Sequence, residues 1–140
     1  MNKLKALRLL EKKRKLEFYD VMSDLNLLYT EASKLSETIQ RIEQLIQEEE
    51  QKENKKDLSV RYLRNSRNIK HKLYEKLSLS KNRSKFIEDQ IENQNDNLAS
   101  IKLKLNKLEN SKKNEEMKET QLKENYLEVV ENRRNFKEKL

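Results

Sequence analysis

Two stretches of the chain place apolar residues at alternating intervals of three and four. The first runs through Leu4, Leu7, Glu11, Arg14, Phe18, Val21, Leu25, Leu28, Ala32, Leu35, Ile39, Ile42 and Ile46, with Glu11 and Arg14 as its polar interruptions. The second runs through Ile87, Ile91, Gln94, Leu98, Ile101, Leu105, Leu108, Lys112, Glu115, Glu119, Leu122, Tyr126, Val129, Arg133, Phe136 and Leu140. Eleven of those sixteen are apolar, too many for chance placement in so polar a chain. A repeat averaging 3.5 residues keeps one narrow seam turned toward a neighbouring helix only if the two helices supercoil. Each stretch therefore predicts a long heptad helix. Between them lies a shorter stripe of Tyr62, Ile69, Leu73 and Leu77.

The fold class expected from this pattern is all-α, a long antiparallel two-helix coiled-coil hairpin with short helices at the bend. Residues 1–140 form a single coiled-coil domain. Its elements are a long helix over about 3–55, a short middle helix over about 58–79 and a long return helix over about 84–140. The first seam fades at Glu49 and Glu53. With no Gly or Pro in the chain, the turn must use Asn, Asp, Ser and Lys, and Asn54 to Asp57 fits best. Asp57 is placed to cap the next helix. A second break is expected at Ser80 to Ser84. Asn93, Asn95 and Asn97 are weak helix formers, which allows the return helix to start as late as Leu98. The competing architecture is a parallel homodimer of one continuous helix. The fading seam, and a register change between Ile69 and Ile87, favour the monomeric hairpin. Such a hairpin sets the residues around Leu7 beside those around Arg133, with Glu11, Arg14 and Arg133 placed to pair across the seam.

Composition alone does not separate a coiled coil from a disordered chain. Of 140 residues 41% are charged and 34% hydrophobic, with no Gly, Pro, Cys or Trp, values common to both classes. The heptad periodicity decides for the coiled coil. Without cysteine there is no disulfide, thiolate nucleophile or thiolate zinc site. The apolar run after Lys3, Lys5 and Arg8 is too short for a signal peptide or a membrane span, so a soluble, cytoplasmic protein is expected. His71 is the single histidine and sits between Lys70 and Lys72, which repel a cation. Glu48, Glu49 and Glu50 have no walled cleft to separate their proton affinities. Phosphate loops need glycine. The expectation is a protein that is not an enzyme and takes no cofactor or metal.

Charge is distributed unevenly. The net charge of +7 resolves into +6 over residues 1–16, −7 over 17–54, +9 over 55–85 and −1 over 86–140. The basic excess falls at the end holding the N-terminus and at the bend. Arg61, Arg64, Arg67 and Lys70 recur every three residues, with Tyr62 and Tyr74 nearby. Three readings are open: a solvated face, a docking surface for an acidic protein, or a nucleic-acid contact using phosphate neutralisation and stacking. One helix width of positive charge beside an acidic segment disfavours a stable nucleic-acid complex. Lys112, Glu115 and Glu119 interrupt the second seam, either to fix register and snorkel outward or to soften the helix pair locally.

The opening Leu4-Lys5-Ala6-Leu7-Arg8-Leu9-Leu10-Glu11-Lys12-Lys13-Arg14, the polar middle and the closing Glu128-Val129-Val130-Glu131-Asn132-Arg133-Arg134 together resemble the FliJ and YscO-type stalk proteins of the flagellar and injectisome export apparatus. The resemblance covers nearly the whole chain and is one of architecture and positional pattern. It implies a stalk similar to the shaft of rotary ATPases, cytoplasmic and peripheral at the inner face of the cell membrane. Its partners would be the hexameric export ATPase, the export-gate protein and export chaperones. It assigns gate docking to the middle segment, here Arg61, Tyr62, Arg64, Arg67, Ile69, Leu73 and Leu77. It assigns the ATPase-facing end to Arg8, Lys12, Arg133 and Arg134. Two other classes remain beside it: a homodimeric scaffolding coiled coil and a basic nucleic-acid-binding rod.

Overall fold

The computed structural model describes residues 2–55 and 59–139, the side chains of residues 138 and 139 excepted. The described chain is all-α: α1 spans Asn2–Glu53 and α2 spans Val60–Lys139, the two are in contact, and no strand occurs among the described residues. Both helices are long because nothing within them stops a helix. Neither Gly nor Pro is present, and Lys, Leu and Glu predominate, residues that lose little side-chain freedom in a helix.

The end of α1 is set by loss of seam and by local hydrogen bonding. Asn54 N still donates to Glu50 O at 3.2 Å, and Lys55 N then reaches only three residues back, to Lys52 O at 3.3 Å. That tightening is the usual closing turn of a helix, and Lys52 lies in the last turn where the dipole favours a cation. At the start of α2 the cap is Ser59. Its Oγ accepts from Tyr62 N at 3.1 Å and its carbonyl from Leu63 N at 3.1 Å. The expected cap, Asp57, lies outside the described residues, as does part of the expected Asn54 to Asp57 turn.

Three expectations about the middle of the chain are corrected. No short helix forms at the bend and no break falls at Ser80 to Ser84, since α2 is continuous from Val60. Two serines cost a few tenths of a kcal/mol each in propensity, too little to interrupt a helix packed along one side. The register change between Ile69 and Ile87 is also absent. Buried and half-buried positions step through Leu63, Ser66, Lys70, Leu73, Leu77, Ser80, Ser84 and Ile87 at strict intervals of three and four. The seam therefore passes through the middle segment unshifted.

By contacts between residues the chain divides into two units. Unit 2, Met22–Asp96, has Leu25, Ile42, Ile46 and Ile87 as its buried apolar residues, with Ile87 fully enclosed. Half-buried Leu28, Leu35, Ile39, Leu63, Leu73, Leu77 and Ile91 continue that seam. Its cross-helix contacts join Lys70 to Glu53, Tyr74 to Glu50, Lys81 to Glu43, Arg83 to Glu31 and Asn95 to Tyr29. Partner numbers on α1 fall as those on α2 rise.

Unit 1, Met1–Val21 with Asn97–Leu140, runs in the same sense from Phe18 to Lys3, with Arg8 reaching Glu116 next to the Lys3 partner. Leu4 and Ile101 are buried, and Lys102 stands over the Phe18 ring at 5.9 Å. Further on, Lys112 meets Glu11 at 3.5 Å, Glu115 meets Lys3 at 3.1 Å and Glu116 meets Arg8 at 3.8 Å. Half-burial ends at Glu119, and from Thr120's neighbour Gln121 through Lys137 every side chain is exposed. The expectation that Leu7 lies beside Arg133 is thereby corrected. Arg133 stands seventeen residues past Glu116, roughly 25 Å along the helix at 1.5 Å per residue.

Candidate functional site

The described residues hold no group of three or more His, Cys, Asp and Glu that could bind a metal ion, and no helix long and apolar enough to cross a membrane. His71 is exposed and its Nε2 lies 3.1 Å from Glu75 one turn on. The positions of interest are the polar stations of the seam and the surfaces flanking it.

Near the bend the seam is polar. Ser66, the one buried polar residue among the described residues, donates its hydroxyl to Glu49 Oε2 at 3.0 Å. Lys70 pairs with Glu53 at 2.5 Å, and the Tyr74 hydroxyl donates to Glu50 at 3.2 Å. The Lys70 ammonium holds the Glu53 carboxyl below the usual carboxylate range, while burial opposes it. Glu53 in turn raises Lys70, and the Glu50 carboxylate raises Tyr74. Toward the N-terminus of α1 the polar stations are again partnered. Glu11 is lowered first by Lys15 and then by Lys112, and Glu115 first by Lys3. Arg14 pairs within its own helix, with both Glu17 oxygens at 2.9 and 3.2 Å, and not across the seam.

These shifts predict how pH acts on the helix pair. Glu11, Glu53 and Glu115 have folded-state values below those of the unfolded chain, so their contribution is present above about pH 4.3, the ordinary glutamate value. It is lost as pH falls through the lowered values. Lys15 and Lys70 are raised, so theirs is complete below about pH 10.4 and lost above it. Thermal melts followed by circular dichroism should show a plateau between those limits and a falling midpoint below pH 4. A midpoint that rises on acidification would contradict the assigned pairs.

The expected gate-docking set does not form one surface. Leu73 and Leu77 are half-buried in the seam against α1, whereas Tyr62 and Ile69 remain 38% and 45% exposed on one flank of it. Arg61, Arg64 and Arg67 are exposed. Because a spacing of three falls short of a full turn, the basic series winds around α2, from Arg61 on the outer side to Lys70 inside the seam. The ATPase-facing set also divides. Arg8 lies beside Glu116, with Lys12 exposed one turn on, and Arg133 and Arg134 lie in the exposed end of α2.

That end is the feature the sequence pattern left unmarked. Leu122, Tyr126, Val129 and Phe136 continue the heptad seam with Arg133 as the one polar position among them, yet they are 68%, 69%, 51% and 66% exposed. The signal available in the sequence was the unequal length of the two runs, since the first stops at Ile46 and the second has more heptads than it can match. No family model, curated protein or solved structure matches the chain.

Proposed function

We propose that the chain is a non-enzymatic, antiparallel coiled-coil stalk of a bacterial flagellar or type III protein export apparatus. It would insert into the hexameric export ATPase, couple that ring to the export gate at the inner face of the membrane, and engage export chaperones. One observation carries the reading: two long helices share a narrow heptad seam that α2 carries on past α1, with its apolar positions open. A pair of long helices offers extended faces to a ring or groove that grips helices. The descending order of partners on α1 supports the antiparallel sense. The resemblance of the opening and closing segments to the FliJ and YscO-type proteins supplies the system.

Arg61, Tyr62, Arg64, Arg67 and Ile69 are the accessible members of the gate-facing set, with Leu73 and Leu77 acting from beneath as packing. Arg8 and Lys12 form one part of the ATPase-facing end, and Arg133 and Arg134 another. The decisive experiment reconstitutes the chain with a hexameric export ATPase and measures ATP hydrolysis. Stimulation by the parent chain should persist when Arg61, Arg64 and Arg67 are reversed to Glu, because this reading gives the ring contact to Arg8, Lys12, Arg133 and Arg134 instead, while secretion is lost. A parent chain that neither binds nor stimulates the ATPase sinks the stalk reading. Binding to DNA or RNA that weakens steeply with salt would favour the nucleic-acid alternative.

A further inference from the structure

The exposed end of α2 has two chemically different sides. Continuing the heptad from the buried seam places Leu122, Tyr126, Val129 and Phe136 on the side in line with it, all exposed. On the same spacing Lys123 and Lys137 flank that side and Arg133 lies within it, whereas Glu124, Glu128 and Glu131 fall on the opposite side. Acidic residues are thus absent from the apolar side and its flanks between 122 and 137. The chain itself shows what such an arrangement takes. In unit 2, basic Lys81 and Arg83 flank the seam of α2 and meet Glu43 and Glu31 flanking the seam of α1.

We propose that the segment 122–137 is a docking strip for an amphipathic helix of another protein, one whose apolar seam is bordered by Glu or Asp. The heptad continuity fixes the occupant as a helix, because only a helix matches a 3.5-residue spacing over several turns. The charge fixes its flanks, since flanking charges decide which helices pair. A second copy of this chain is a poor occupant. Two copies side by side in parallel set Arg133 against Arg133. In the antiparallel sense, like flanks meet, as Lys81 and Glu43 do, and bring Lys123 toward Lys137. The proposal goes beyond the stalk reading and does not depend on it, because it holds for whichever protein supplies the helix.

The test uses the full chain and synthetic peptides of about three heptads. One peptide carries Leu at its seam and Glu at its flanks, a second has Lys at the flanks, and a third keeps Glu but has Ser in the seam. Binding is read by fluorescence anisotropy and the oligomeric state of the free chain by sedimentation. The Leu/Glu peptide should bind at least about tenfold more tightly than either of the others. Leu122→Asp with Val129→Asp should abolish that binding and leave the helix-pair melt unchanged. Reversing Lys123, Arg133 and Lys137 to Glu should transfer the preference to the Lys-flanked peptide. Equal binding of all three peptides, binding that survives the Asp pair, or no binding at all overturns the proposal. A free chain that self-associates through this strip, and loses association with the Asp pair, overturns it in favour of a second copy. Arg133 also belongs to the ATPase-facing set, so peptide binding is read on the chain alone and ATPase stimulation on the parent chain, which keeps failure here distinguishable from failure of the stalk reading.

Discussion

Ile87→Asp should remove the cooperative melt of the helix pair, whereas Leu122→Asp, the same change at an equivalent heptad position, should leave the midpoint within about a degree or two. Both residues occupy the same register of α2 and nothing in their immediate sequence separates them. Their surroundings do, since Ile87 is fully enclosed and Leu122 is 68% exposed. A carboxylate at 87 would be either buried without a partner, at several kcal/mol, or forced outward with its helix. Total stability for a chain of this kind is only about 5–15 kcal/mol, and a two-helix seam has no second layer to absorb the loss. Ile87→Ala gives the graded version, about 2–5 kcal/mol for the lost methylenes and the space left behind. Far-ultraviolet circular dichroism against temperature reads all three variants. Equal losses at 87 and 122 would mean that Leu122 sits in a packed seam of its own, and the docking strip would have to be abandoned.

How far the sequence could be read follows from where apolar residues and seam positions coincide. On α1 they coincide almost throughout, and each position from Leu4 to Ile46 in the stepped series is buried or half-buried, Glu11 and Arg14 included. On α2 they part between Leu63 and Ser84. There the seam holds Ser66, Lys70, Ser80 and Ser84, while apolar Tyr62 and Ile69 each stand one residue before a seam position and remain exposed. Counting apolar residues therefore produced a false stripe, a false register change and a false helix break, all from one cause. Polar seam residues are readable only through their partners on the other helix, such as Glu49 for Ser66 and Glu53 for Lys70, and those partners lie far away in sequence. The candidate docking residues suffered likewise. Leu73 and Leu77 share the middle segment with Tyr62, but the seam claims them. The reach of pairing shows in the sequence only as the unequal length of the two runs, because a heptad repeat records which face of a helix is apolar and not what stands against it.

The polar stations near the bend lead to the second large effect, and its sign depends on how many residues are changed. Lys70→Leu alone should lower the melting midpoint. It leaves Glu53, whose Oε1 is enclosed without a hydrogen-bond partner, with no ammonium at Oε2 either, and an unpartnered carboxylate against a seam is costly. Replacing Glu49, Glu53, Ser66 and Lys70 together by Leu should instead raise the midpoint, by roughly 5 °C or more. The four residues occupy seam positions continuous with Ile46 and Leu73, so the leucines extend an existing apolar run and no polar group is left behind. What the quadruple variant should lose is uniqueness. Polar stations admit one register, in which Glu53 finds Lys70 and Glu49 finds Ser66, and an all-leucine seam tolerates slippage by a heptad and pairing with other chains. Sedimentation of the quadruple variant should therefore show species larger than the parent at the same concentration. A variant that melts lower than the parent, or that melts higher with unchanged association, would show that the polar stations hold the helices together by some means other than selecting their register.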